Sequence, residues 1–256
     1  MAMKRTQKQL IIGFIYVFIF GMLIAGFYFV FVREAPSCFD SRQNQGEEGV
    51  DCGGPCAKSC LPTLQPITLL GKPKILYAGA DRSTLLVRLQ NPNDYFAARE
   101  FRYDIDLFDT AGNRVEAFFG SGRSRLYAKE LKYLIFPNLP FTPARVERAE
   151  VTFKEPLWVP IEEFRRPRLS VSSYTTIEEN ERLVVDGVIV NDENFALSNI
   201  VVIAVFEGRF GEISGASRTE FESIGPNQAL PFIISHPLII GTSAASTQLF
   251  VFVESS

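Results

Sequence analysis

Leu10 to Val32 reads LIIGFIYVFIFGMLIAGFYFVFV, 23 residues without a charge. At about 1.5 Å per residue a helix of that length reaches about 35 Å, enough for a hydrocarbon core of about 30 Å. Nothing in the run is amphipathic, so it lacks the stripe a helix needs to form one layer of a soluble core. Gly13, Gly21 and Gly26 are tolerable there, because in lipid the backbone hydrogen bonds hold a helix together despite weak propensity. Tyr28 lies near the outer end, where a ring suits the interface. Lys4, Arg5 and Lys8 are the only charges before Arg33, and cations ahead of a span favour a cytoplasmic N-terminus. Residues 1–9 therefore read as a cytoplasmic basic head and 10–32 as a single-pass transmembrane helix in the lipid bilayer. Residues 33–256 are expected outside the cytoplasm.

Cleaved leaders are the alternatives. The apolar core is far longer than the roughly 7–15 residues of a signal peptide, and no A-x-A site follows. Ala35-Pro36-Ser37-Cys38 resembles a lipoprotein cleavage box, but Pro36 and a missing Leu argue against it. Gly13-Phe14 is similar to a pilin leader without its following acidic residue. An uncleaved anchor is the expectation.

Behind the anchor the chain is acidic. With Lys4, Arg5 and Lys8 set aside, 23 Lys and Arg face 29 Asp and Glu, a net charge of about −6 for residues 33–256. A nucleic-acid partner needs a basic surface to displace phosphate counterions, so none is expected. With 23 Phe in 256 residues, collagen, coiled coil and wholesale disorder are excluded.

All four cysteines, Cys38, Cys52, Cys56 and Cys60, fall within residues 38–60. That segment carries Gly46, Gly49, Gly53 and Gly54 and has almost no apolar content, so cross-links must hold it. Outside the cytoplasm an even count reads as two disulfides, with three connectivities open. Four thiolates at a zinc ion are the rival, opposed by the spacing and the oxidising location. Asp40, Asn44 and Asp51, with Glu47 and Glu48, offer oxygens for Ca²⁺, but not in the order of a twelve-residue EF-hand loop. No cofactor is expected. The segment matches C-x-D-x-x-x-N-x-G-E-x-G-x-D-C-G-G-x-C-x-x-x-C and resembles a module of bacterial and archaeal surface proteins found beside anchors or between extracellular domains. The resemblance implies an extracytoplasmic spacer, residues 33–62, and no known reaction.

From residue 63 the text is strand-like. Phe101, Tyr103, Ile105 and Leu107 alternate with Arg102, Asp104 and Asp106, the period of a half-buried strand, and Asp109-Thr-Ala-Gly112-Asn113 supplies the next turn. Further strands are expected at 84–90, 131–136, 146–153, 182–190, 199–206, 229–234 and 247–253. A repeat shows at an offset of about 100 residues. Leu86–Asn91 with Phe96-Ala97 answers Val188–Asn191 with Phe195-Ala196, Phe101–Leu107 answers Ile200–Phe206, and Ala149–Lys154 answers Leu249–Glu254. The expected fold is an all-β ectodomain of two tandem immunoglobulin-like β-sandwiches, 63–165 and 166–256, parted near Phe164-Arg-Arg-Pro167. Ile105-Asp-Leu-Phe-Asp109-Thr-Ala-Gly112 resembles the motif of FxLYD-type sandwich domains. The second copy resembles that family at Val184–Asn191, Ala204–Gly208, Gly225–Gln228 and Pro231–Ile234, but has Glu207 for the Asp and no Leu-Tyr pair. The resemblance implies binding or structural envelope modules without shared catalytic residues.

Nothing in the text reads as an enzyme. His236 is the only His, and Ser235-His-Pro237 suits a turn or surface position. Glu162-Glu163 and Glu178-Glu179 adjoin loop signals and read as solvated charge. One face stands out: Val201, Ile203 and Val205 are apolar where the first copy has Arg102, Asp104 and Asp106. A strand apolar on both sides must be covered. Either the first sandwich or a loop covers it, with Trp158 packing into the same junction, or an envelope protein docks there. The expected function is a membrane-anchored, non-enzymatic envelope protein with a structural or protein-binding role. The alternative is an extracytoplasmic sensor of Ca²⁺ or of a small ligand such as a glycan.

Overall fold

The computed structural model describes residues 5–28, 37–58, 60, 63–79, 81–115, 120–208, 210–238 and 242–254. The chain divides into two compact units, residues 1–63 and 64–256. In the first, α1 (Arg5–Phe27) is one helix, and its stretch Gln7–Phe27 is long and apolar enough to cross a membrane. Such a helix serves as an anchor or as a signal sequence. Lys4, residues 29–32, Arg33 and Ala35-Pro36 of the expected head, span and cleavage box lie outside the described residues. Downstream, Cys38 bonds to Cys56 and Cys52 to Cys60, a crossed connectivity.

The second unit is all-β. Its strands are β1 (Thr68–Leu69), β2 (Lys74–Tyr77), β3 (Ser83–Gln90), β4 (Phe96–Phe108), β5 (Gly120–Leu126), β6 (Leu131–Leu139), β7 (Arg148–Pro160), β8 (Leu169–Glu179), β9 (Arg182–Asn191), β10 (Leu197–Gly208), β11 (Ile213–Ile224), β12 (Ala229–Pro237) and β13 (Thr242–Val253). They form four antiparallel sheets. Sheet one is β5-β4-β7; in sheet two β3 is flanked by β1 and β2 on one side and β6 on the other; sheet three is β11-β10-β13; sheet four is β12-β9-β8.

Strand alternation decides how they stack. Leu85, Val87 and Leu89 of β3 meet Phe101, Ile105 and Leu107 of β4, so one core lies between sheets one and two. Leu183, Val185 and Ile189 of β9 meet Ile200, Val202, Ala204 and Phe206 of β10, so another lies between sheets three and four. A third joins the inner sheets: Leu76, Leu86, Tyr133 and Ile135 of sheet two pack against Val201, Ile203, Val205, Ala216 and Phe252 of sheet three. The unit is a stack of four layers with three apolar interlayers, a sandwich-type arrangement without a barrel. The third interlayer makes residues 64–256 one compact unit.

The expected strands are present, and β1, β2, β5, β8 and β11 add to them. Near the expected boundary Phe164 stacks on Tyr127 with ring centroids 4.8 Å apart, and the guanidinium groups of Arg99 and Arg125 lie 5.9 and 5.7 Å from its ring. Trp158 is not in the junction between the inner sheets; it packs on the core between sheets one and two. Asn91 and Asn191 hold corresponding corners. Each is fully buried, and each side-chain amide donates to backbone carbonyls on both sides of it: Phe96 and Tyr127 for Asn91, Phe195, Ile224 and Gly225 for Asn191.

Candidate functional site

The face singled out in the sequence is the inner face of sheet three. Val201, Ile203 and Val205 are 7, 1 and 1% exposed. Sheet two covers them, so this face is closed to an outside partner and the expected docking residues serve the interlayer. Their cover, Leu76, Leu86, Tyr133 and Ile135, went unnamed in the sequence. Its one signal is Tyr133-Leu-Ile-Phe136, an apolar run without alternation, the mark of a strand buried on both faces.

Polar groups are set into the same junction. Lys132, 1% exposed, places Nζ 2.9 Å from Glu254 Oε1, donates to the Arg125 carbonyl at 3.1 Å, and lies 5.4 Å from the centre of the Phe252 ring. Ser124 donates to the other Glu254 oxygen at 2.7 Å. Arg218 donates to the Ile135 carbonyl at 2.9 Å and pairs with Glu220 at 2.7 Å. Beside these groups a cleft of about 340 Å³ opens at the edge of the junction, lined by Tyr103, Arg123, Phe136, Asn199, Glu222 and Glu254 among others. Burial, and then the Glu254 carboxylate, hold the Tyr103 phenol above its usual range. On another side of the junction Glu130 accepts from the Tyr127 N–H at 2.8 Å, and burial raises its carboxyl.

His236 is neither a turn nor a surface residue. It lies inside β12, 1% exposed, stacked on Phe206 at 4.9 Å, with Nδ1 2.9 Å from Ser217 Oγ. Gly215 makes room for it, since a Cβ there would overlap Nε2. Burial drives its pKa down to about 4. Among the described residues no hydrogen bond reaches Nε2, and the ring is part of the core. Glu163 pairs with Arg99 at 3.6 Å in solvent, and Glu162, Glu178 and Glu179 are exposed.

Three acidic groups of the cysteine module, Asp40, Glu47 and Asp51, bind the module's own backbone. Asp51 accepts from the Asp40 N–H at 2.9 Å and the Ser41 N–H at 3.0 Å. Asp40 accepts from Asn44 Nδ2 at 2.9 Å and from the Ser37 and Arg42 N–H groups, and these bonds, the Asn44 one first, lower its pKa. Glu47 Oε2 accepts from the Asn44 and Asp51 N–H groups. Its Oε1 lies 3.1 Å from the Cys56 sulfur, which is in a disulfide and has no proton to give. Cys38, Glu47 and Cys56 cluster, yet both sulfurs are oxidised and unsuited to a metal. Turn geometry thus accounts for Asp40, Glu47, Asp51 and the glycines, while Asn44 Oδ1 is buried without a hydrogen-bond partner among the described residues. Gly53 and Gly54 hold φ of +71° and +56°, and a Cβ on Gly54 would overlap the Gly46 carbonyl.

The outer faces of the stack differ in kind. On sheet one, Arg102, Asp104 and Asp106 pair with Glu155, Lys154 and Arg114. On sheet four, alternation turns Val184, Asp186 and Val188 of β9 outward, because Leu183, Val185 and Ile189 point into the core. The register places Ile177 beside Val184, Ile233 beside Asp186 and Pro231 beside Val188. Ile177 is 52% and Ile233 64% exposed.

No protein-family model matches the chain, and no curated protein matches it. Among solved structures, red sea bream transglutaminase aligns over 75% of this chain and 31% of its own, at 12% identity and a TM-score of 0.26. The chain thus spans about a third of that protein's length. The N-terminal CBM22-1-CBM22-2 tandem domain of Paenibacillus barcinonensis Xyn10C aligns over 75% of this chain and 86% of its own, at 9% identity and a TM-score of 0.15. Likenesses at this level assign neither family nor function.

Proposed function

We propose that the chain is a membrane-anchored, non-enzymatic cell-envelope protein with a structural and protein-binding role, its N-terminus cytoplasmic and residues 33–256 outside. The uncharged stretch of α1 that follows Arg5 and Lys8 and the disulfides downstream support this placement. The β unit is two tandem immunoglobulin-like sandwiches of the FxLYD type; the corresponding strand orders β2-β3-β6 and β8-β9-β12, and the matched Asn91 and Asn191 corners, support the duplication. The observation that carries the binding role is the contrast of outer faces: one saturated with ion pairs, the other with exposed Ile177 and Ile233 and with Val184 and Val188 around Asp186, its further charges, Glu179 and Arg182, lying at one end. Crosslinking in intact cells, read by mass spectrometry, tests it with Ile177→Asp as the control. A discrete crosslinked species lost in the variant supports the role; an unchanged pattern removes it.

A small-ligand sensor is the second reading, favoured by the cleft beside Tyr103 and Glu254. Ligand-induced shifts of the Tyr103 ring resonances would support it. Ca²⁺ is not part of that reading, since the carboxylates of Asp40 and Asp51 are already stabilised by N–H donors, which weakens their hold on a cation.

A further inference from the structure

Sheet three ends on β13, which pairs with β10 and with no other strand among the described residues. A free strand edge is a row of unpaired N–H and C=O groups, and folded chains guard such edges, with charge or proline among other devices. Every other edge strand longer than two residues carries a charge or a proline, Arg123 in β5, Pro156 in β7, Arg218 in β11 and Pro231 in β12 among them. β13 has neither from Thr242 to Val253, and it closes on Leu249-Phe-Val-Phe-Val253.

The Glu254 N–H donates to the Asn199 carbonyl at 2.8 Å, and the register continues that pairing through Phe252 with Val201 and Phe250 with Ile203. Bonded and unbonded pairs alternate in an antiparallel ladder, so Leu249 and Val251 turn their N–H and C=O groups away from β10. Thr247 obeys the same alternation, since its carbonyl accepts from the Tyr174 hydroxyl at 3.0 Å. Along Leu249 to Phe252 runs a groove of about 650 Å³. Sheet three lies between sheets two and four, so the groove has a wall on each side: Leu131 at the head of β6, and Val171 and Tyr174 of β8. Leu131 is 36% and Tyr174 46% exposed. Tyr174 on Thr247 closes one end, and Pro167 and Leu169 stand beside Val253 at the other.

We propose that this groove is a strand-addition site, taken by a short extended segment of a partner protein that joins sheet three along β13. The inference goes beyond the reading above, because it concerns the edge of sheet three and stands or falls apart from the outer face of sheet four. One donor and one acceptor every second residue, about 6.6 Å apart, are matched by another extended backbone and not by a helix, whose own groups are already bonded. The recess excludes the β13 of a second copy, since two edges each sunk between walls cannot approach to the strand spacing of about 4.8 Å. What fits is a segment free on both sides. Apolar walls on both sides call for apolar side chains on both of its faces, over about four residues or about 13 Å. On the rim the Arg166 side chain is 56% exposed, while Glu130, its partner at 3.8 Å, is 3% exposed and also holds the Tyr127 N–H. A carboxylate next to the apolar stretch would meet that guanidinium.

The test uses the full chain in detergent and a mixed library of hexapeptides with Asp at both ends and Val, Ile, Leu or Phe between. In the dilute chain, amide exchange should be fast at Leu249 and Val251 and slow at Phe250 and Phe252, the pattern of a free edge. The library should slow Leu249 and Val251 at least about tenfold and leave Phe250 and Phe252 as they are. The same library N-methylated at each inner residue keeps its side chains, loses its donors and should have no effect. Leu131→Asp should weaken binding at least about tenfold with the unfolding midpoint in place, and Arg166→Glu should weaken it less. No slowing at millimolar peptide, or equal slowing by the N-methylated library, overturns the proposal. Slow exchange at Leu249 and Val251 without peptide overturns it too: in dilute chain it means that the chain covers its own edge, and on concentration alone that a second copy does. Ile177→Asp should leave peptide binding intact, so the loss of this site and the loss of the outer-face reading are told apart.

Discussion

Lys132 Nζ sits 2.9 Å from Glu254 Oε1, joining β6 of sheet two to the residue that follows β13 of sheet three, and the lysine side chain is 1% exposed while the glutamate is 24% exposed. The pair spans the junction at its edge, with Ser124, the Arg125 carbonyl and the Phe252 ring completing its surroundings. Glu254→Gln takes from the buried ammonium its hydrogen-bonded counter-charge, a change that costs about 3–5 kcal/mol in comparable pairs. Lys132→Met leaves a partly solvated carboxylate and should cost less. The double variant should recover most of the loss, because packing replaces both charges. Urea midpoints of the three variants check the order.

The junction also sets how the β unit unfolds. Ile203→Asp places a carboxylate between sheets two and three, where Ile203 is 1% exposed, and should cost at least about 3 kcal/mol. Because sheets two and three share an apolar interlayer, the loss should reach all four layers in one transition. Calorimetry of the wild-type chain should accordingly give one β-unit transition whose van't Hoff and calorimetric enthalpies agree. Two separated transitions would show that the halves fold on their own and that the interlayer is only a contact.

What the sequence could show depended on whether a face alternates. β4 was legible because Arg102, Asp104 and Asp106 interrupt Phe101, Tyr103, Ile105 and Leu107. β10 was legible as a strand and as an anomaly, since Val201, Ile203 and Val205 left no polar side. Of the cover only Tyr133 and Ile135 left a signal, because Leu76 and Leu86 are single apolar residues on strands whose other face already explains them. His236 was misplaced because its neighbours Ser235 and Pro237 read as a turn, while its burial depends on Gly215 and Phe206, far off in sequence and close only across sheets. β8 and β11 were missed for a related reason: Ser, Thr and Glu dominate both, and each gains its strand character from a strongly apolar neighbour. The cysteine pairing was open among three choices, since spacing alone does not reveal the turns that set it.

Acid should weaken the fold through His236. Its pKa falls from 6.5 unfolded to about 4 in the folded chain, so the unfolded state takes up the proton first as pH drops. Stability from this group is untouched above about pH 6.5, is lost between there and pH 4, and is level below that. The loss amounts to roughly 3 kcal/mol at about 1.4 kcal/mol per pH unit. Glu130, raised by burial, acts with the opposite sign over the carboxylate range, so the readout is the difference between wild type and His236→Asn. The variant should be less stable at pH 7 and should lose the slope between pH 6.5 and 4. A parallel pair of curves would show that His236 takes up its proton at an ordinary pH in the folded chain. Gly215→Ala, which pushes a methyl into the ring, should cost about 1–3 kcal/mol at either pH.

The cysteine module should answer to reductant and not to chelator. Its carboxylates close turns: Asp51 holds the Asp40 and Ser41 N–H groups, and Glu47 holds those of Asn44 and Asp51. A Ca²⁺ ion would have to share these oxygens with N–H donors that already stabilise their charge. Calorimetric titration with Ca²⁺ should therefore show no heat, and EDTA should leave amide protection in residues 38–58 unchanged. Reduction should abolish that protection, because a segment this poor in apolar residues keeps its shape through Cys38–Cys56 and Cys52–Cys60. Peptide mapping of the oxidised chain should recover these two pairs. Asp51→Ala with both disulfides intact should lower protection at Asp40 and Ser41 first, the two amides its carboxylate holds. Protection lost on adding EDTA instead would mean that an ion, and not the backbone, is what the acidic side chains serve.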